Sequence, residues 1–314
     1  MSRLGLALGC LGTETDGSII DPADFNNIVG IKPSRWNSYF TVEKLTIEAV
    51  GMTSRHLVIP VSEHQDTVGL LTRTVKDGAR ILQIIAGIDP LDNYTSAIPG
   101  DVPDFVAACQ FSALTGVRLG VPSNVISLLS TNTTMEIFES FNRSLDILRQ
   151  AGATIIENTN FPAAAELESS PLPNTVLEAD FVVNLQTYLS YLTYNPNNIT
   201  SLADLRTFTQ SYPPEDYPTR DTGIWDAALQ NWNNTSPEFW QAYQKNLYFC
   251  DEGGLLGALK RYSLDAVLLP THIAADFAAT VGAPAVSVPM GVYSGNAPVS
   301  KNSWGLVETA PNIP

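Results

Sequence analysis

Eight residues, Gly12-Thr13-Glu14-Thr15-Asp16-Gly17-Ser18-Ile19, set a serine behind a glycine-containing turn at the end of an apolar stretch. A glycine there allows backbone conformations that a side chain obstructs, so successive N–H groups can converge on one point. Converging donors stabilise the oxyanion that forms when a serine oxygen attacks a carbonyl carbon, one of the larger contributions to acyl-transfer catalysis. The spacing therefore fits Ser18 as a nucleophile. It also fits a strand-to-helix turn with a capping serine, and composition alone favours that plainer reading. His56, His64 and His272 raise a Ser-His-Asp hydrolase, but no G-x-S-x-G elbow accompanies them and they lack metal-ligand spacing. Asp251-Glu252 reads as a solvated helix end, and no phosphate-binding or dinucleotide glycine fingerprint is present.

The elements around the serine follow from its flanks. Leu4 to Gly12 is apolar and glycine-spaced, the pattern of a strand buried on both faces, and Thr13 to Ser18 is the turn. Asp21-Pro22 predicts an N-cap and first helical residue for a short helix over Ala23 to Ile28, stopped at Gly30. Helical spacing returns over Thr74 to Ala86 and Thr134 to Gln150, with strands predicted at Val117 to Pro122, Ala153 to Glu157, Leu264 to Pro270 and Ala285 to Pro289. Alternating strands and helices predict an α/β sheet. Residues 172–262 are mostly helical in pattern, with interruptions rich in aromatics, asparagine and proline, and read as a helical insertion over the sheet. Their aromatics, Tyr188, Tyr191, Tyr194, Trp225, Trp232, Trp240 and Tyr243, read first as packing for a helical layer.

A chain of 314 residues with 44% apolar content can bury a large core. Its net charge of -15 disfavours nucleic acid and anionic lipid as partners. Cys10, Cys109 and Cys250 lie far apart and suggest neither a zinc site nor a disulfide framework. Sequons at Asn93, Asn132, Asn142, Asn198, Asn233 and Asn234 point weakly to the secretory pathway, the pattern being short enough to match by chance, and the compartment is otherwise taken as cytoplasmic. Met1 to Leu8 lacks a leader pattern, and no uninterrupted apolar run is long enough to span a bilayer.

Several ordered blocks carry a resemblance. Leu8 to Ser34, then Met52-Thr53-Ser54-Arg55, Ile59-Pro60, Asp66-Thr67-Val68-Gly69, Arg73 to Asp77 and Ala86-Gly87, are similar in order and content to the amidase signature family. Leu264 to Thr271 and Gly282 to Gly291 resemble that family's closing strands. The resemblance implies a single domain over residues 1–314 with a mixed β-sheet core covered by helices. It implies amide C–N hydrolysis through an acyl-enzyme, with Ser18 as the catalytic nucleophile and the backbone N–H groups of Thr15, Asp16, Gly17 and Ser18 as the oxyanion hole. The expected partner is a small-molecule amide, with no metal, no cofactor, no nucleic acid and no membrane; the oligomeric state is left open.

The same resemblance marks departures. The family activates its nucleophile with a lysine acting through a second serine on a cis peptide bond, both upstream of the nucleophile. Here Ser2 is the one serine before Ser18, and no lysine precedes it. Asp16 stands where glycine is common, and Arg35 to Ala49 separates two blocks that abut in the family, so it reads as an insertion or intron-derived loop. The expectation is an incomplete member, with the N-terminal part and C-terminal end of the fold missing, inactive as it stands. Two further readings stay open: a non-catalytic amidase-like protein that binds an amide ligand or a partner, and a protein like the A subunit of the tRNA-dependent amidotransferase.

Overall fold

The first strand forms later along the chain than the apolar pattern predicts. In the computed structural model, which describes residues 1–34, 51–96, 98, 101–110, 114–130, 135–301, 305 and 307–313, β1 is Gly9–Glu14 and α1 is Ile20–Phe25. Leu4, Leu6 and Leu8 precede the strand in an exposed turn. The helix starts before Asp21-Pro22 because the Glu14 carboxylate, and not Asp21, meets its first N–H groups. After α1 come β2 (Val29–Lys32), β3 (Thr67–Thr72), α2 (Val75–Ile85) and α3 (Phe105–Ala108). Then follow β4 (Arg118–Val121), α4 (Ser123–Leu129), α5 (Met135–Gln150), β5 (Thr154–Glu157) and α6 (Ala164–Ser169). Residues 172–262 hold α7 (Leu172–Ser190), α8 (Leu202–Ser211), α9 (Gly223–Gln230), α10 (Pro237–Cys250) and α11 (Leu255–Arg261). The chain continues through β6 (Ala266–Val267), α12 (Ala275–Ala279), β7 (Ala285–Ser287), β8 (Ser300–Lys301) and β9 (Val307–Thr309).

The result is an α/β fold with antiparallel and parallel strand pairs, as expected. One sheet has the antiparallel order β1-β3-β2-β7, a second the parallel order β5-β4-β6, and β8 pairs with β9. β3 is the central strand of the site-bearing sheet, with Gly12 opposite Gly69 on one side and Ile31 opposite Leu70 on the other. Val29, Ile31, Leu70 and Leu82 form the core between that sheet and α2. Thr74 caps α2 by accepting the Asp77 N–H, the Ser/Thr cap that a helix over this segment calls for. A larger core gathers Val125, Phe161, Phe249, Phe277 and Val281 around α10 and α12.

The expectation of a fold whose N-terminal part and C-terminal end are missing is corrected in that both ends of this chain are packed into it. Ser2 is buried and its hydroxyl donates to the Leu71 carbonyl at 3.2 Å, so the first residues are tied to β3. At the other end β8 and β9 pair, and Tyr293 N–H donates to Ile313 O at 2.8 Å. Both ends are therefore placed parts of the fold. The segment Arg35 to Ala49, read as an insertion or intron-derived loop, lies outside the described residues.

Candidate active site

β1 ends at Glu14, α1 begins at Ile20, and the five residues between them form the turn that carries Ser18. Glu14 builds this turn from below. Its side chain is buried, and Oε2 accepts the N–H groups of Ile19 at 2.7 Å and Ile20 at 2.9 Å. A carboxylate on the first N–H groups of a helix satisfies donors that have no intrahelical partner and lies at the positive end of the helix dipole. Ile19, fully buried, anchors the same turn in the core. Removing the carboxylate in Glu14→Ala is expected to cost about 1–3 kcal/mol, since it orphans two buried donors. Urea denaturation and faster amide exchange at Ile19 and Ile20 would register it; unchanged exchange there would show that the cap does not hold the turn.

Gly17 has φ +83°, the left-handed region, and a side chain there would also press on the Asp21 carboxylate. Ser18 follows it and is exposed. Among the described residues, the N–H groups of Asp16, Gly17 and Ser18 donate to no protein acceptor, while Gly17 O accepts the Asp21 N–H at 2.8 Å. The turn thus offers an exposed hydroxyl beside main-chain donors that nothing in the described chain uses. Thr15 is held differently, through its side chain and carbonyl: its hydroxyl donates to Asp66 Oδ1 at 2.5 Å and its carbonyl accepts from Gln65 Nε2 at 3.3 Å.

Asp16 brings a carboxyl into this cluster, and its surroundings keep that group neutral. Burial, followed by the charge and hydrogen bond of Asp276 and the charges of Glu14 and Asp21, pushes its pKa up to about 8. Asp21 is pushed up to about 7 by burial and by Glu14, Asp24 and Asp276. Near neutral pH the Asp16 carboxyl therefore holds its proton beside the Asp276 side chain. A neutral side chain at Asp16 leaves the neighbouring N–H groups free of a repelling negative charge.

Other polar side chains lie elsewhere or do other work. Lys32 is fully buried and its Nζ donates to the Ala283 carbonyl at 2.8 Å, stitching β2 to the segment before β7. Ser62, His64 and Asp180 come together, but not as a hydrolytic triad. Ser62 is fully buried and its hydroxyl donates to Asp180 Oδ2 at 2.5 Å, while His64 Nδ1 meets the same oxygen at 2.7 Å. Glu63, His64 and Asp180 have the donor types of a metal site. Their carboxylates are already met by protein donors: Asn234 Nδ2 lies 2.9 Å from Asp180 Oδ1 and 3.4 Å from Glu63 Oε1. His64 also packs on Tyr243, and Tyr243 stacks on Phe239, so this part of the aromatic set packs a helical layer. His272 lines two cavities of about 220 and 230 Å³, one against α4 and α12 and the other against α1, and burial pushes its pKa down. Cys10, Cys109 and Cys250 are all free thiols. No helix among the described residues is long and apolar enough to cross a membrane.

Sequence reasoning singled out Thr15 to Ser18 but missed three partners that shape the turn: Gln65, Asp66 and Asp276. Asp66 lay inside a block used for the resemblance, without a role; nothing in the local pattern marks Asp276.

Comparison with known proteins places these features. The family model described as Amidase matches residues 4–299. A putative amidase of Arthroderma benhamiae is 49% identical over 315 residues, covering 100% of this chain and 50% of the relative. Putative amidase C869.01 of Schizosaccharomyces pombe is 31% identical, covering 92% of this chain and 52% of its own length. Among solved structures, the native peptide amidase of Stenotrophomonas maltophilia superposes with a TM-score of 0.76 at 27% identity, over 93% of this chain and 57% of that one. The expectation of an incomplete member is corrected by these matches, because family sequence runs almost from end to end of the chain. The chain spans about half the length of the curated relatives it matches.

Proposed function

Because this chain belongs to the amidase family, we propose that its Ser18 turn is the acylation site of an amide hydrolase acting on small-molecule amides. Ser18 Oγ attacks the amide carbonyl carbon, the oxyanion is received by the N–H groups of Thr15, Asp16, Gly17 and Ser18, and the C–N bond breaks to leave an acyl-enzyme that water hydrolyses. The observation that carries this reading is an exposed hydroxyl beside main-chain donors with no acceptor of their own among the described residues. By the same reading the chain is a single domain, with residues 172–262 a helical insertion over the sheet.

Activation limits what the chain does as it stands. A neutral serine hydroxyl needs a positioned base, and no lysine precedes Ser18 in this sequence. Ser2 is buried with its hydroxyl donated to the Leu71 carbonyl, and Lys32 donates to the Ala283 carbonyl. Neither is placed in the proposal as the missing base. The expected outcome on a panel of simple amides is binding without sustained turnover. Sustained release of ammonia or amine, abolished by Ser18→Ala, would overturn the inactivity and leave the acyl-transfer site standing.

A further inference from the structure

The peptide linking Thr15 to Asp16 is gripped by the loop that leads into β3, the strand paired with β1. Gln65 Nε2 donates to Thr15 O at 3.3 Å, and Thr15 Oγ1 donates to Asp66 Oδ1 at 2.5 Å. Both gripping residues are buried, at 3% and 7% exposure. The grip is itself braced. Asp66 Oδ2 accepts the N–H groups of Val61 at 2.8 Å and Ser62 at 3.1 Å, which fixes the carboxylate to its own loop. Arg55 Nη1 donates to the carbonyls of Glu63 and Asp66, pairs through its guanidinium with Asp92, and lies 4.1 Å over the Tyr94 ring. Ser62 and His64 tie the loop to Asp180 of α7.

A peptide unit is planar and trans, so its C=O and the following N–H point in opposite directions. Whatever holds the Thr15 carbonyl therefore sets the direction of the Asp16 N–H. We propose that Gln65 and Asp66 are positioning residues for the oxyanion donors, aiming the Asp16 N–H by holding the Thr15 carbonyl and hydroxyl. This rests on reading the Ser18 turn as an acylation site. A clamp that served packing alone would lower stability when cut but leave the Asp16 amide pointing as before.

The test uses the full chain and Gln65→Met, which keeps the side-chain length and removes the donor. Two quantities are read: the residual dipolar coupling of the Asp16 N–H in protein labelled with 15N-aspartate, and the rate of Ser18 acetylation by p-nitrophenyl acetate. That ester has a leaving group needing no protonation. Acetylation is followed by intact mass, located by peptide mapping and compared with Ser18→Ala. The expected result is a changed Asp16 coupling together with a loss of about tenfold or more in the Ser18-dependent rate, the scale of weakening one oxyanion donor. If Gln65→Met does not fold, Gln65→Leu carries the same comparison, since its side chain has no donor at any pH. An unchanged Asp16 coupling in either folded variant overturns the inference. A changed coupling in a protein whose Ser18 is never acetylated sustains the aiming of the peptide and defeats the acyl-transfer reading.

Discussion

Gly69→Ala is expected to destabilise the protein by about 3 kcal/mol or more, the scale of an overpacked core position that cannot relax. A methyl group at residue 69 would press into the Ile31 carbonyl oxygen and meet Ile19 Cδ1 at 2.8 Å and Pro33 Cδ at 2.9 Å. The carbonyl belongs to β2, which is bonded to β3 on one side and β7 on the other, so it cannot swing away as a flexible side chain would. Ile19 cannot yield either, being fully buried with its N–H on Glu14. The strain therefore passes from the centre of the sheet into the turn that bears Ser18. Thermal melts followed by circular dichroism measure the loss. Gly295→Ala serves as the control, because a methyl there meets only Asn312 Oδ1 at 3.7 Å, an ordinary contact. Equal melting temperatures for Gly69→Ala and the unaltered chain would show that β2 and β3 are not locked together as described.

What the sequence could reveal of this site divides along contact distance. The run Gly12 to Ile19 is read from adjacent residues: a glycine before a serine, a strand before it and a helix after it, all local physics. The helix start was legible only in type. Asp21-Pro22 has the form of a cap, yet the acceptor is Glu14, because the strand-to-turn geometry brings that carboxylate under Ile19 and Ile20. The grip of Gln65 and Asp66 on Thr15 depends on the register of β1 against β3, in which Glu14 faces Thr67; a shift of one residue would send Thr15 elsewhere. Asp276 meets Asp16 only because α12 comes against the turn, with Ala275 beside Gly17, which no local pattern encodes. The strands predicted over Leu264 to Pro270 and Ala285 to Pro289 shrink to Ala266–Val267 and Ala285–Ser287, and Ala266, Val286 and Val288 are exposed, so an apolar run fixes neither the length of a ladder nor which of its residues are buried.

The Asp16 carboxyl makes stability fall as pH rises, and Asp16→Asn is expected to remove its share of that fall. Asp16 titrates at about 8 in the folded protein against an ordinary 3.8, and Asp21 at about 7. Between those limits the folded state binds protons that the unfolded state has released. The contribution is thus fully present below pH 4, declines through the neutral range, and is lost once pH has passed 8. Carboxylates of the opposite kind act at the acid end: Ser54 and the Leu91 N–H hold Asp89 below its ordinary range, a contribution lost as pH falls. The balance places greatest stability on the acid side of neutral, in keeping with a net charge of -15 whose self-repulsion also grows with pH. Asn at residue 16 stays uncharged and keeps an N–H donor for Asp276. Melting temperatures of Asp16→Asn and the unaltered chain should therefore nearly coincide at pH 4 and separate progressively between pH 4 and 8 with the variant higher, by about 2–4 °C for each kcal/mol recovered. The same substitution reaches the site: above pH 8 an ionised Asp16 sets a negative charge beside the donors meant for an oxyanion. Ser18 acetylation should accordingly weaken with pH in the unaltered chain relative to the variant. Melting curves that run parallel from pH 5 to 9 would mean that Asp16 is already ionised in the folded protein, and that it holds no proton beside Asp276.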